Sequence, residues 1–426
     1  MGLPQELVDY IMGMLEDDLR TLKACSLTCK AMFASTRRLV HQTLCLSQRN
    51  RQRTLITKKG THHREQDHYG AELCFLSYMG EHGFLKYTRK IHLCVPERFT
   101  PDILFPHLHH FQSLDMVHTL TIENYDSFLW ASHYKSCFVH FYPALTSLTL
   151  RRPFGHYRLV LQFALQFPNL EDLTIESFKY ERVPEGLILP RVIDQFPPLR
   201  HLRLLSVDDT VQWSMSFTHP VHRSRMCFQS VEFESNFFGA SIQRMLVAGA
   251  RTIEDLTFVP RGNGTLRLPF LLAVVTDVLT NPPPTVHFRL SHLTFTEFAV
   301  LRRLTVHVAF AQVSGLAFGL RSILTVTSCA FSEFVLELSR VPSQFNGPSS
   351  EYWDRWEEID RFLEEKFASR GGFKLIIRTC EPHDRKTLQR HARETFPWLE
   401  RRGCIHFETS LRLRNVEVGH LLRSRS

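Results

Sequence analysis

The residues of this sequence best suited to chemistry are its ten cysteines and 23 histidines, since thiolates and imidazoles bind metals and act as nucleophiles or bases. No two cysteines form a C-x-x-C pair, and the closest, Cys25 and Cys29, have helical rather than chelating spacing. No cysteine accompanies either histidine cluster, so we interpret both clusters as solvated side chains and predict no metal and no cofactor. The clusters are His62, His63 and His68 with Glu65 and Asp67, and His107, His109 and His110.

Cys404 is the strongest candidate for a reactive thiol, because Arg401 and Arg402 precede it and a neighbouring positive charge lowers a thiol pKa. Spacing assigns it no histidine or aspartate partner, so a structural thiol is the favoured interpretation. The motifs G-x-S-x-G, G-x4-G-K-[ST], H-E-x-x-H and G-x-G-x-x-G do not occur, and Gly262-Asn263-Gly264 lacks the third glycine. The sequence therefore predicts a protein that is not an enzyme.

The composition indicates a globular protein with a large core. The chain has 426 residues, 43% of them hydrophobic, and a formal charge of +8 from 51 basic and 43 acidic residues. The basic residues are scattered in pairs, so neither nucleic acid nor membrane is predicted as a partner. The opening MGLPQEL has no basic segment followed by an apolar one, and the most apolar stretch, Leu304–Leu320, is interpreted as a strand with its connection. We expect an intracellular protein with reduced thiols, in the cytoplasm or nucleus.

The first 45 residues predict three short helices. Leu7, Ile11 and Leu15 form one apolar stripe that begins just after Pro4, a residue tolerated in the first turn of a helix. Either Asp17 or Asp18 is expected to cap a second helix, and a third spans about residues 29–34. A bundle of this size buries only a modest core, so its surplus apolar residues mark a partner surface.

This segment resembles the F-box family over about residues 2–46. It reads LP-x-EL-x3-I-x3-L from Leu3 and DL-x2-L-x2-CSL-x-CK from Asp18, with Met32 where the family often has tryptophan. The resemblance implies a three-helix module that docks to the Skp-type adaptor of a cullin-based ubiquitin ligase. An ordinary helical hairpin packed on the rest of the chain is the alternative. The adaptor contacts that the resemblance implies are Leu3, Pro4, Leu7, Val8, Ile11, Leu15, Leu19, Leu22, Cys25, Ser26, Cys29 and Met32.

A second pattern, apolar-x-x-apolar-x-apolar, recurs through the middle of the chain. Its central apolar residue falls at positions 120, 148, 173, 202, 231 and 256, and further copies occur at 290–295 and 301–306, with an earlier partial copy at 91–93. In Leu148-Thr149-Leu150 the leucines face one side of a strand and the threonine the other. These units resemble irregular leucine-rich repeats, which implies a solenoid with a parallel sheet.

The repeats depart from the usual pattern at the position that often holds asparagine. Pro153, Phe178 and Val207 occupy it, and Asn236 is a lone match. Several strands follow an aromatic-Pro-x-Leu turn, such as the one at Phe167, and the run 282–284 of three prolines predicts an insertion loop.

The C-terminal region predicts helix, strand, helix and strand, from Trp353 to the strand at Ile405, with a further aromatic-Pro turn at Phe396. It is similar to the end region of many fungal F-box proteins and is interpreted as a solenoid cap. The predicted fold class is α/β. The predicted domains are an F-box module (1–46), a linker and solenoid entry (47–84), a leucine-rich-repeat solenoid (85–345) and a capping region with a tail (346–426).

These features predict a substrate-recognition subunit of a Skp-cullin-F-box ubiquitin ligase, with the adaptor, the cullin scaffold and a target protein as partners. One alternative is a leucine-rich-repeat scaffold with no role in ubiquitin transfer, and another is a nucleic-acid binder using the basic stretch 49–64. The charges of the strand face are of both signs and predict no particular target charge. The candidate target-binding residues are Arg151, Asp172, Glu176, His201, Arg203, Glu232, Glu234 and Asp255.

Overall fold

The computed structural model describes residues 4–15, 18–46, 81, 83, 85–94, 114–128, 142–181, 197–207, 227–234, 245–246, 249–259, 300–309, 330–339, 356–367, 372–379 and 384–409. The chain divides into two compact units, Met1–Leu199 and Arg200–Ser426, with a boundary inside the predicted 85–345 region. Each unit combines helices with parallel strands, so the α/β class predicted from the sequence is confirmed. No described helix is both long and apolar enough to cross a membrane.

Three helices open the first unit: α1 (Gln5–Gly13), α2 (Leu19–Ser26) and α3 (Lys30–Val40). Of the two aspartates predicted as caps, Asp18 caps α2, because its Oδ1 accepts a hydrogen bond from the backbone N–H of Thr21 at 3.0 Å. The third helix has eleven residues and is longer than predicted.

The three helices share a small apolar core. The core consists of Val8 and Met12 from α1 with Leu22 from α2, all buried. Both α1 and α2 pack against α3. The partly buried side chains around this core are Leu15, Cys25, Met32, Leu39 and Val40.

The strands of the first unit are parallel and follow chain order. Leu120, Leu148 and Leu173 occupy the same register on successive strands and are fully buried, as the repeat pattern predicts. The pattern does not predict the first strand, which lies inside the predicted 1–46 module but pairs with the second. The strands in pairing order are β1 (Thr43–Leu46), β2 (Lys90–Cys94), β3 (Thr119–Glu123), β4 (Ser147–Arg151) and β6 (Asp172–Glu176), while β5 (Phe154–Gly155) pairs with β7 (Lys179–Tyr180).

The residue after each of the strands β3, β4 and β6 turns the chain in the left-handed conformation. Asn124, Arg152 and Ser177 have φ of 61°, 50° and 58°. The residue that directly follows this turn residue, at the position where asparagine is common in leucine-rich repeats, is apolar and buried at Pro153 and Phe178. Helix α4 (Tyr157–Ala164) lies between β5 and β6, and the ring of its Phe163 meets that of Phe167 edge-on at 5.4 Å.

The strands of the second unit are also parallel and in chain order. The predicted copy at 290–295, the insertion loop at 282–284 and Asn236 lie outside the described residues. The predicted cap contributes two strands that pair directly with the strands before them. The strands are β8 (His201–Leu205), β9 (Ser230–Glu234), β10 (Asp255–Val259), β11 (Arg303–Ala309), β12 (Glu333–Ser339), β13 (Lys374–Thr379) and β14 (Ile405–Thr409).

Three helices connect the last strands: α5 (Trp356–Phe367), α6 (Asp384–Thr395) and α7 (Pro397–Arg401). The sequence predicts a turn at Phe396, but Pro397 instead begins α7, a position that proline tolerates. The N-terminus of this helix is capped by a residue from another helix. Asp360 of α5 accepts hydrogen bonds from the backbone N–H groups of Trp398 at 2.8 Å and Leu399 at 3.2 Å.

Removing this cap is expected to destabilise the second unit. Asp360→Ala leaves two buried N–H groups unpaired and should lower the free energy of unfolding by about 1–3 kcal/mol. Burial raises the pKa of Asp360, and the two N–H groups only partly oppose that shift. Because the pKa of this carboxyl is higher in the folded than in the unfolded protein, it makes the free energy of unfolding fall as the pH rises from the pKa of the unfolded protein to that of the folded protein.

Asp360→Asn keeps one acceptor oxygen but does not titrate. It leaves one of the two N–H groups unpaired, because those groups bind different oxygens of Asp360. Its stability should therefore be insensitive to pH over that interval and at neutral pH should lie between those of the alanine variant and the wild type. Chemical unfolding of the three proteins between pH 4 and 7 measures both effects. Equal stability of the alanine variant and the wild type at every pH would contradict the role of this cap.

Candidate functional site: an exposed apolar surface on the N-terminal helices

Four apolar residues of α1 and its C-cap face solvent and are called the docking stripe: Leu7, Tyr10, Ile11 and Met14. Their i, i+3, i+4, i+7 spacing places them on one side of the helix. Leu27, which follows α2, and Phe33 of α3 are also exposed. Among the described residues, six of the eight exposed large apolar side chains thus lie between positions 7 and 33. Exposed apolar residues so concentrated indicate a partner surface.

The predicted adaptor contacts divide by burial. Pro4, Leu7, Ile11 and Cys29 are exposed, as a contact requires. Val8 and Leu22 lie in the core of the helices and can support the surface only from beneath. Half-buried are Leu15, Cys25, Ser26 and Met32, whereas Leu3 and the side chain of Leu19 lie outside the described residues.

Sequence reasoning missed Tyr10, Met14, Leu27 and Phe33 as parts of the surface. Tyr10 and Met14 follow Leu7 by three and seven residues, so helical spacing alone could have placed them on the same side of α1 as Leu7. Leu27 lies between α2 and α3, where no periodicity identifies it.

A hydrogen-bond network joins α1 to α3. The amide Nε2 of Gln5 donates to Ser35 Oγ at 2.7 Å and to Asp9 Oδ1 at 2.9 Å, and Ser35 Oγ donates to Asp9 Oδ1 at 2.5 Å. The hydroxyl of Ser35, followed by the amide of Gln5, holds the pKa of Asp9 below its ordinary value. Asp9 is therefore an anion at neutral pH, which strengthens its hydrogen bonds.

Helices α2 and α3 carry mainly positive charge. From position 18 to position 40 the chain has five basic residues and a single acidic residue, Asp18. The guanidinium of Arg37 lies 5.7 Å from the centre of the exposed Phe33 ring. Burial, followed by Arg37 and Lys23, lowers the pKa of His41, so this histidine is neutral at pH 7. The surface combines apolar and basic character.

Of the three candidate target residues in the first unit, Arg151 and Glu176 lie together, whereas Asp172 begins strand β6 and has Ser147 as its register partner. Arg151 and Glu176 are register partners, and their side chains lie 3.3 Å apart. Glu123 on the same face is paired with Arg152. A row of threonines in register with one another lies beside the row formed by Glu123, Arg151 and Glu176 on the same face. The row consists of Thr121, Thr149 and Thr174.

The strand face of the second unit carries the other candidate target residues, and three of them have hydrogen-bond partners within the chain. Arg203 Nε donates to Glu232 Oε2 at 2.7 Å, and the Ser206 hydroxyl donates to Glu234 Oε2 at 2.8 Å. Burial raises the pKa of Asp255, whereas Arg303 opposes that shift. The exposed His201 has Ser230 as its register partner.

The Arg203–Glu232 pair is expected to contribute a coupling energy of about 0.2–1 kcal/mol, typical of opposite charges across strands. A double-mutant cycle with Arg203→Gln and Glu232→Gln, measured by chemical unfolding, determines it. If the coupling energy is zero, the pair does not hold these charges together and both remain available to a target.

The sequence raised three further kinds of chemistry: a reactive thiol at Cys404, metal binding by histidines and nucleic-acid binding by a basic stretch. Burial raises the pKa of Cys404 despite the opposing charge of Arg402, so the side chain is a thiol at neutral pH. The part of the chain that the structure describes contains no group of three or more metal-ligating side chains. The histidine clusters at 62–68 and 107–110, and the basic stretch 49–64, lie outside the described residues.

Comparison with known proteins adds no further identification. The sequence matches no protein-family model, and no curated protein is significantly similar to it. The functional interpretation therefore depends on the residues and geometry described above.

Proposed function

We propose that this protein is a substrate-recognition subunit of a Skp-cullin-F-box ubiquitin ligase. Helices α1–α3 form its F-box module, and the docking stripe binds a Skp-type adaptor. One observation carries this proposal: the segment with the F-box order of residues is also the segment where the exposed large apolar side chains concentrate.

Energetics supports a partner on this surface. Burying apolar area contributes about 25 cal/mol per Å², so leaving several large side chains in water is costly unless a partner covers them. The basic residues of α2 and α3 favour an acidic rim on that partner, since complementary charges speed association and exclude wrong partners.

The remainder of the chain acts as a leucine-rich-repeat solenoid that holds the target. In both units the strands are parallel and follow chain order. In β3, β4, β6 and β8 apolar residues are buried in the core and alternate with less buried polar residues on the opposite face. The receptor needs no catalytic group, because holding a target near the ubiquitin-charged enzyme raises the effective concentration of its lysines.

The self-paired charges constrain what kind of target fits. A target that contacts Arg203 or Glu232 must replace an existing ion pair, which offsets much of the gain. Recognition by shape and by neutral hydrogen bonds, such as those of the threonine row, is therefore favoured over recognition by a single charge.

Reconstitution with purified full-length protein tests the proposal. The protein should co-elute with a Skp-type adaptor and cullin and should support ubiquitin transfer, to itself or to a co-purified target, only when the adaptor is present. Adaptor binding without ubiquitin transfer would instead favour the scaffold alternative. Absence of adaptor binding would exclude both the receptor and an adaptor-dependent scaffold.

A further inference from the structure

Helix α1 is apolar on two sides, so hydrophobic burial alone does not determine which side faces outward. Three adjacent pairs each place one apolar residue in each stripe: Leu7 with Val8, Ile11 with Met12, and Met14 with Leu15. Neighbouring residues of a helix lie about 100° apart around its axis. A rotation of α1 by one residue would therefore carry Leu7, Ile11 and Met14 into the places of Val8, Met12 and Leu15 and turn the docking stripe inward.

The polar residues of α1 remove this ambiguity. Gln5 and Asp9 lie one turn apart on the same side of the helix, and both contact Ser35, which is buried. Rotation by one residue would bring Val8 to Ser35 and separate Asp9 from the hydroxyl. A hydrogen bond to a charged group is worth more than one between neutral groups, so the observed rotation has a specific stabilising contact.

We propose that the Gln5–Asp9–Ser35 network positions α1 and so selects which apolar side of the helix is offered to the partner. Asp9 and Ser35 are positioning residues that act through Leu7 and Ile11. The importance of the network for binding rests on the proposed function, whereas its effect on the rotation of α1 does not.

Hydroxyl-radical footprinting of the full chain tests the rotation, because native methionines report on both sides of α1. Met12 is 2% exposed and Met14 is 68% exposed, so the wild type should oxidise at Met14 and resist oxidation at Met12. Asp9→Ala and Ser35→Ala should each raise the Met12-to-Met14 oxidation ratio by about two- to tenfold, the range expected for losing one partly exposed hydrogen bond.

Two further variants control the experiment. Glu6→Ala removes an exposed carboxylate from the same helix and should leave the ratio unchanged. The double variant Asp9→Ser with Ser35→Asp exchanges the two partners and should restore a low ratio. An unchanged ratio in Asp9→Ala and Ser35→Ala would overturn the inference. So would a rise at Met12 matched by an equal rise at Met32 of α3, since that pattern means unfolding of the three helices and not rotation.

Adaptor titrations on the same proteins separate this inference from the proposed function. If the ratio changes as expected but the wild type does not bind the adaptor, the positioning network stands and the proposed function fails. If the wild type binds the adaptor and the footprint of the variants is unchanged, the proposed function stands and the positioning network is wrong.

Discussion

Replacing both Leu7 and Ile11 by aspartate is expected to weaken binding of the Skp-type adaptor by at least about 100-fold. Both side chains are exposed and belong to the docking stripe. Hot-spot residues of interfaces contribute about 2 kcal/mol or more each, and about 1.4 kcal/mol changes affinity tenfold. Aspartate adds the cost of burying a charge against an apolar partner. Calorimetric titration of the full-length protein with purified adaptor measures the change.

The fold should survive this double substitution because neither residue belongs to the core of the three helices. Met116→Asp is the matched control, since Met116 is exposed in the first unit but lies far along the chain from the docking stripe, and its adaptor affinity should equal that of the wild type. Val8→Asp, in contrast, should unfold the helices. Wild-type affinity in the Leu7→Asp, Ile11→Asp protein would exclude the docking stripe as the adaptor site.

Truncating Leu148 to alanine is expected to lower the free energy of unfolding of the first unit by about 2–5 kcal/mol, the range for leucine in a packed core. Leu148 is fully buried and lies in register between Leu120 and Leu173 on the neighbouring strands. The cavity would thus interrupt a continuous row of leucines. Chemical unfolding, followed by hydrogen exchange of strands β3 and β6, measures the loss and locates it.

Thr149→Ala is the control for this truncation, because Thr149 follows Leu148 directly but lies half-buried on the opposite face of β4. Its effect should stay within about 0.5 kcal/mol, as for most substitutions away from a core. Equal destabilisation by the two substitutions would mean that β4 does not separate a buried face from a polar one.

Much of the strand arrangement could be predicted from the sequence, because alternation within a strand is a local property. Leu148-Thr149-Leu150 reveals which side of β4 is buried without any knowledge of its neighbours. The strand β12 has the same spacing at Phe331, Phe334 and Leu336 but escaped the prediction. Val335 is buried at the register position where strands β10 and β11 have Thr257 and Thr305, so the run from Phe334 to Leu336 is continuously apolar.

Features that depend on contacts between distant residues could not be predicted. The turn expected at Phe396 became helix α7 because Asp360, 36 residues earlier, caps its N-terminus. Likewise, periodicity finds two apolar stripes on α1 but cannot tell which is covered. That choice depends on the contact between Asp9 and Ser35, which are 26 residues apart.

Hydrogen exchange of the full-length protein, with and without a saturating Skp-type adaptor, tests the central claim most directly. Amide exchange slows where a partner covers or stabilises a segment, so it maps the docking site without any substitution. The proposed function predicts new protection in helices α1–α3, strongest in α1, with the strand faces of both units unchanged. Protection confined to the strands, or no protection anywhere at saturating adaptor, would contradict docking through the N-terminal helices.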